Sequence, residues 1–396
     1  MTNEEKFNLI TRNLEEVLTP SELKSLIDGG TPLKHYIGFE ISGKVHLGTG
    51  LATLQKVKEV HEAGAETIIW LADWHGWINN KLDGTLETSQ KMAREYFEEA
   101  MKAAYLCLGG DPDDLIFKQG SELYIEKPEF WATTVKVAKA TTISRMIRST
   151  TIMGRQAGQS SDTASLFYPA MQAADIFTLG VNIAHAGTDQ RNVHVVARDV
   201  AKEVGHSKPI AIHHHLLLGL LKPSIEEVSD YGRGTTVMGP GGQGDGTVVI
   251  SSPYGDTEVM KLAMKMSKSK PDSAVFIHDS PDEIKRKVNN AFCPEGEVEF
   301  NPILDWVKHL IFYEDGSSIS IIRITEHGGD ITYKSYEDLE KDYLDKKLHP
   351  QDLKNAVAEW LIKTLEPARK YFEDPKRRKA LEEIEGLTGS TKSSWE

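Results

Sequence analysis

LKHYIGFEISGKVHLGTGLATLQKVKEVHEAGAETIIWLA, residues 33–72, decides the fold. Its opening run, residues 33–39, is short and apolar enough to be a buried strand. Ser42-Gly43-Lys44-Val45-His46-Leu47-Gly48-Thr49 then makes a glycine-bearing turn. Apolar residues recur at helical spacing from there to Val60, and Gly64 supplies a C-cap. Thr67-Ile68-Ile69-Trp70-Leu71-Ala72 is a second apolar run between turn-like flanks, the pattern of a parallel strand buried on both faces. Strand, turn, helix and strand within about forty residues form a βαβ unit, which implies a doubly wound parallel sheet.

The alternation returns downstream. Helices are expected over 4–17, 21–27, 86–108, 128–149, 168–178 and 189–204, and further strands over 182–185 and 210–214. The whole reads as an α/β protein with a Rossmann-like doubly wound sheet across 1–275 and a helical insertion at about 86–165. Residues 222–257 break the pattern. Gly239-Pro240-Gly241-Gly242-Gln243-Gly244-Asp245-Gly246 reads as a flexible loop rather than a phosphate cradle, because no helix start follows it. Beyond Asp279-Ser280-Pro281 the pattern is helical, notably over 302–312 and 350–371, so residues 276–396 are expected to form an α-helical C-terminal domain.

Bulk composition narrows the class. With 39% hydrophobic and 27% charged residues the chain can bury a sizeable core. No stretch is long and apolar enough for a bilayer, and the first residues carry Glu4, Glu5 and Lys6 where a secretory signal would be apolar. Cys107 and Cys293 make neither a zinc motif nor a disulfide framework, so a reduced cytoplasm is expected. His213-His214-His215 does not read as a metal site, since three adjacent histidines on a strand cannot face one ion. The net charge of −13 speaks against a nucleic-acid partner, yet a local basic stripe suffices to meet phosphates. Arg145, Arg148 and Arg155, and the run Lys376-Arg377-Arg378-Lys379, are candidates; as charge runs alone they read as solvated helix faces.

Two motifs carry chemistry. His46-Leu47-Gly48 follows the first strand at a helix start; taken alone it is a turn and a cap. Lys265-Met266-Ser267-Lys268-Ser269 lies far downstream and is more specific. Together they suit a nucleoside triphosphate. A helix N-terminus offers unpaired N–H groups, His46 can donate to a phosphate, and Gly48 lets a nucleotide approach the backbone. Lys265 and Lys268 can neutralise charge building on pyrophosphate, with no protein nucleophile required.

The pair resembles the two signatures of class I aminoacyl-tRNA synthetases. Residues 35–49 are similar to the archaeal form of tyrosyl-tRNA synthetase, as are Tyr168-Pro169-Ala170-Met171-Gln172-Ala173-Ala174-Asp175-Ile176, Gly187-Thr188-Asp189-Gln190-Arg191 and Leu348-His349-Pro350-Gln351-Asp352-Leu353-Lys354. The resemblance runs in order along nearly the whole chain. It departs at Thr49, where the family usually has His or another polar residue, and in the longer glycine-rich segment before Lys265.

The resemblance implies activation of tyrosine with ATP, accompanied by Mg2+, and transfer to tRNA(Tyr). It assigns Tyr36 as donor to the substrate hydroxyl and Asp175 as acceptor from it. Tyr168, Gln172 and Gln190 would hold the ammonium and carboxylate, and Asp189 the ribose hydroxyls, unless Asp189 simply caps the helix that starts there. His46, Gly48, Thr49, Lys265, Ser267 and Lys268 would line the ATP site. Arg191 would approach the acceptor stem, and His349 and Asp352 the anticodon, in an anticodon-binding C-terminal domain; capping a helix is the alternative for Asp352. The insertion resembles the family's dimerisation segment, so a homodimer is expected. The residues agree in part: Tyr168, Gln172 and Asp175 share a helix face, and Asp175 in an otherwise apolar helix needs a partner. An indole offers one donor only, so Tyr36 with Asp175 suits a phenol better than tryptophan. Asp73 and His75, at a strand's C-terminal end, receive no role.

Overall fold

The computed structural model describes residues 1–153, 162–222, 264, 266 and 270–389. Two compact units interleave along the chain. One comprises Met1–His215, Val275–Ile284 and Trp360–Glu396; the other comprises Leu216–Ala274 and Lys285–Glu359. The units are therefore not laid end to end about residue 275.

The first unit is built on six strands: β1 (Leu14–Leu18), β2 (Lys34–Glu40), β3 (Glu66–Ala72), β4 (Ile116–Gln119), β5 (Ile183–Gly187) and β6 (Ile210–His214). Their order is β1-β6-β5-β2-β3-β4, all parallel except β1, which runs antiparallel to β6. β2 pairs with β3 from Lys34↔Glu66 to Glu40↔Ala72, which confirms the βαβ unit expected from residues 33–72. The chain winds outward from β2 in both directions, so the strand order reverses between β2 and β5. Ligands of doubly wound sheets bind at the carboxyl ends of strands at such a switch point.

Alternation along each strand splits the core. Tyr36, Ile68, Trp70 and Ala184 face helices Tyr168–Leu179 and Arg191–Val204 in one buried cluster. Ile183, Ile210 and Ile212 face the opposite side, with Ile10, Leu23, Ile27 and Val60. Helix Tyr168–Leu179 begins with Pro169 in its first turn and stops at Gly180, whose φ of 67° is left-handed.

Two expected helices differ, and strand β4 was not expected. The first helix stops at Thr11, because Asn13 adopts φ 56° and turns the chain back as β1. Glu15 and Glu16 then meet His215 and His213 across the edge strand rather than facing water on a helix. Expected helix 128–149 is two, Glu129–Lys139 and Ile143–Ser149; Thr142 accepts from the Arg145 N–H and starts the second. β4 had no alternation to reveal it. Among the described residues no helix is long and apolar enough to cross a membrane.

The second unit contains helices Pro302–Trp306 and Tyr336–Leu344, together with a small antiparallel pair, β7 (Ile319–Ile321) and β8 (Ile331–Tyr333), which the helical expectation missed. Trp306 donates its indole N–H to Leu218 O at 2.8 Å, and Asp305 accepts from the Leu218 N–H at 2.9 Å. The glycine-rich stretch 239–246 lies outside the described residues.

Candidate active site

Asp175 sits on the buried face of helix Tyr168–Leu179, 1% exposed. Its Oδ1 accepts from the Tyr124 hydroxyl at 2.8 Å and its Oδ2 from the Trp70 indole N–H at 3.2 Å. Burial pushes the Asp175 carboxyl well above the usual carboxylate range, while Tyr124 and Trp70 oppose the shift. His75 Nε2 lies 3.7 Å from Oδ2, but burial lowers His75 to about 4, so this contact joins a neutral ring to the carboxyl. Tyr36 projects from β2 into the same cluster. Its hydroxyl pKa is raised, first by burial and then by Asp175. Tyr36 and Asp175 thus share one compartment. Among the described residues no hydrogen bond ends on the Tyr36 hydroxyl, whereas both Asp175 oxygens are engaged.

Gly38 keeps room beside them. A Cβ there would lie 3.0 Å from the Tyr36 hydroxyl and 3.2 Å from the Trp70 ring. Asp73 supports the wall from outside: it accepts from the Trp74 N–H at 2.8 Å, Gln119 Nε2 at 2.8 Å and the Ser121 N–H at 3.1 Å. These bonds pin the end of β3 to β4 and to helix Gly120–Glu126, which carries Tyr124. Gly120 permits the approach, since a Cβ would stand 2.6 Å from Asp73 Oδ1.

A polar cluster lies at the carboxyl end of β2. Glu40 Oε2 accepts from the Tyr168 hydroxyl at 3.1 Å and from Asn79 Nδ2 at 2.7 Å, and Lys81 Nζ is 3.8 Å from Oε1. Gln172 Nε2 donates to Gln190 Oε1 at 3.3 Å. The structure therefore brings Tyr168 to a carboxylate and Gln172 to Gln190. Glu40, Tyr124 and Trp70 were missed by sequence reasoning. Glu40 was findable as an acid closing a strand at the binding end of the sheet; Tyr124 and Trp70 looked like ordinary core aromatics.

His46 heads the turn before helix Thr53–Glu62. Its Nδ1 accepts from the Thr49 N–H at 3.3 Å, which leaves the ring proton on Nε2, 3.3 Å from Thr49 Oγ1. Thr49, the residue at which the resembled signature is departed from, thus orients the His46 ring. The turn is clamped from outside: the Leu47 N–H donates to Val275 O at 3.0 Å and the Ile277 N–H to Val45 O at 3.1 Å. Gly48–Ala52 is a wide π-helical turn, with the Ala52 N–H reaching Leu47 O at 3.0 Å.

Asp189 is half-buried in the short turn Thr188–Gln190 after β5. The cap position of helix Arg191–Val204 falls on Gln190, not Asp189. Arg191 pairs with Glu16 at 2.8 Å, and Glu16 also meets His213 Nδ1 at 2.9 Å. His213, His214 and His215 go to different partners: His194, His185 and Glu15. In the second unit His349 is exposed, its Nδ1 accepting from the Gln351 N–H at 3.1 Å, and Asp352 lies in the first turn of helix Pro350–Thr364. Lys265, Ser267 and Lys268 lie outside the described residues.

A doubly wound sheet with a histidine-headed turn at one strand end and a buried polar cluster beside it is an arrangement met in nucleotide-dependent enzymes, and comparison gives the class. The chain belongs to the tRNA synthetases of class I for tryptophan and tyrosine, whose family profile matches residues 29–224 and 260–366. Within that family it is of the archaeal tyrosyl type. It is 49% identical over 386 residues to the tyrosine–tRNA ligase of Thermococcus sibiricus, covering 94% of this chain and 96% of that one. Its fold matches the crystal structure of the tyrosyl-tRNA synthetase of Pyrococcus horikoshii complexed with L-tyrosine, with a TM-score of 0.85, 47% identity and coverage of 98% and 100%. The tyrosyl-tRNA synthetase of Aeropyrum pernix matches with a TM-score of 0.78, 36% identity and coverage of 97% and 99%.

Proposed function

We infer that the chain is a tyrosine–tRNA ligase whose amino-acid pocket is closed by Tyr36 and Asp175. The observation that carries this reading is the shared buried compartment of Tyr36 and Asp175, next to the Glu40–Tyr168 and Gln172–Gln190 contacts. A phenol hydroxyl both donates and accepts, so it suits Asp175 as acceptor and Tyr36 as donor. Phenylalanine would leave the Tyr36 donor unsatisfied and deny Asp175 a further donor in a buried site, where the cost is greatest. Glu40 and Tyr168 offer oxygen acceptors for the ammonium, and Gln172 and Gln190 offer amides for the carboxylate.

The reaction runs in two steps. A tyrosine carboxylate oxygen attacks the α-phosphorus of ATP, the bond to pyrophosphate breaks, and tyrosyl-adenylate forms. His46 Nε2–H and the N–H groups of the following turn hold phosphate, and Asp189 takes the ribose hydroxyls. Lys265, Ser267 and Lys268 meet the leaving pyrophosphate. Mg2+ enters with ATP as part of the substrate. A terminal ribose hydroxyl of the tRNA then attacks the adenylate's carbonyl carbon and AMP leaves. His349 and Asp352 meet unpaired anticodon bases, which are read by stacking and edge hydrogen bonds. Residence in the cytoplasm, where tRNA is charged, goes with this reading. Exposed Trp131, Val135, Ile143 and Ile147 on the insertion support a homodimer, to be read by light scattering.

The test is ATP–pyrophosphate exchange driven by tyrosine, with tryptophan and phenylalanine as controls, followed by charging of tRNA(Tyr). Exchange driven equally by tryptophan would refute the pocket assignment.

A further inference from the structure

On the face of the sheet away from Asp175, three imidazoles, two buried and that of His214 partly so, stand in a row across β2, β5 and β6. His35 Nε2 lies 3.1 Å from His185 Nδ1, and His185 Nε2 lies 2.8 Å from His214 Nδ1. His214 Nε2 lies 3.3 Å from Thr53 Oγ1, and Thr53 Oγ1 donates to Gly48 O at 2.9 Å. His35 and His185 are wholly buried and Thr53 is 2% exposed.

The direction of this chain follows from counting protons. Gly48 O can only accept, so it takes Thr53's single hydroxyl proton. Thr53 Oγ1 must then accept from His214 Nε2–H. A neutral imidazole carries one N–H, so His214 Nδ1 accepts from His185 Nε2–H, and His185 Nδ1 accepts from His35 Nε2–H. That leaves His35 Nδ1 as a bare acceptor, and among the described residues it is one of the buried atoms with no hydrogen-bond partner. With all three rings neutral, each is the Nε2–H tautomer and every bond points toward Gly48. Burial, then nearby Lys56, lowers His35 to about 3, and burial takes His185 well below the ordinary histidine value, so both stay neutral. Aligned bonds of this kind polarise one another in a low-dielectric interior.

We propose that His185, His214 and Thr53 are positioning residues for ATP: the one-way chain fixes the Gly48 carbonyl and so the orientation of the His46–Thr49 turn. This rests on the reading of that turn as the phosphate site. None of these side chains touches substrate; they act through the Gly48 backbone.

The test compares Thr53→Val, which keeps the shape and removes the hydroxyl, with Thr53→Ser, which keeps the hydroxyl. Tyrosine-dependent pyrophosphate exchange is measured against ATP and tyrosine separately. Thr53→Val is expected to raise the KM for ATP by on the order of five- to tenfold, as for loss of one buried hydrogen bond. The KM for tyrosine should move less than about twofold, since no link runs to that face, and Thr53→Ser should stay near wild type. An unchanged KM for ATP in Thr53→Val, equal losses toward both substrates, or a serine variant as poor as valine would each overturn the proposal. Should Thr53→Val not fold, His214→Gln, which keeps an amide N–H, is compared with His214→Leu in the same way. A wild-type enzyme without tyrosine-dependent exchange would sink the functional reading instead, which keeps the two failures distinct.

Discussion

Tyr36→Phe deletes one oxygen from a side chain that is 1% exposed and leaves its ring packing in place. Among the described residues that oxygen has no hydrogen bond to lose, so the unliganded fold has little at stake. With tyrosine bound, the deletion removes one neutral donor. A net value of about 0.5–1.5 kcal/mol for such a bond corresponds to a roughly 2- to 13-fold fall in kcat/KM for tyrosine. Phenylalanine has no hydroxyl to receive the bond, so its kcat/KM should hold or rise, and the discrimination between the two should narrow by at least that factor. Exchange kinetics with both amino acids, alongside a thermal melt, measure all three quantities. Parallel losses with tyrosine and phenylalanine, or a melting point several degrees lower, would refute the reasoning, because either would make Tyr36 a packing residue.

Asp175→Asn replaces the shared acceptor and should erode tyrosine preference further than Tyr36→Phe, as read by the same exchange ratio. Because burial raises the Asp175 pKa in the fold, its contribution to stability is present below the unfolded carboxyl value and lost as pH rises toward the folded one; the Asn variant should therefore gain on wild type in urea melts as pH is raised from about 4, and a constant difference would contradict this. For the buried histidines the sign is opposite. His35, His75, His185 and His194 have lowered pKa values, so their contribution is full above the unfolded value near 6.5 and is lost as pH falls. From pH 7 to 5 each costs up to about 2 kcal/mol by linkage. Asp73 and Asp175 act the other way but are outnumbered, so the urea midpoint should drop over this window; a flat midpoint would show that the rings are not neutral and buried in solution. Asp352→Ala should lower tRNA charging several-fold while pyrophosphate exchange stays near wild type; loss of exchange would detach Asp352 from RNA reading.

The parallel strands were legible because each is an uninterrupted apolar run with turn residues at both ends, as at residues 67–72. β1 was not, because Leu14, Val17 and Leu18 also fit a helical stripe, and only the left-handed conformation of Asn13 breaks it. For the site, the helix spacing of Tyr168, Gln172 and Asp175 correctly placed three polar groups on one face. The partners of Asp175 could not be read: Trp70 and Tyr124 come from a strand and a helix 105 and 51 positions away, and aromatic residues in apolar runs look alike until the sheet is assembled. Glu40 was legible only by its place, as an acid closing β2 at the binding end of the sheet. The histidine triplet parts to His194 on helix Arg191–Val204, His185 on β5 and Glu15 on β1, partners that no local pattern reveals.

The interleaving of the two units bears on how the enzyme is made. The unit that holds Tyr36 and Asp175 takes residues 1–215 and, from far along the chain, 275–284 and 360–396. Tyr96 packs on Phe372, Glu99 receives Arg377, and Lys44 and Lys91 meet Glu385 and Glu383. A ribosome must therefore translate the distal helices before this half can close, and the helical face that carries Tyr96 and Glu99 waits for them. A gene cut after codon 275 would yield an incomplete catalytic half, so anyone wanting that half alone should fuse the distal helices back on.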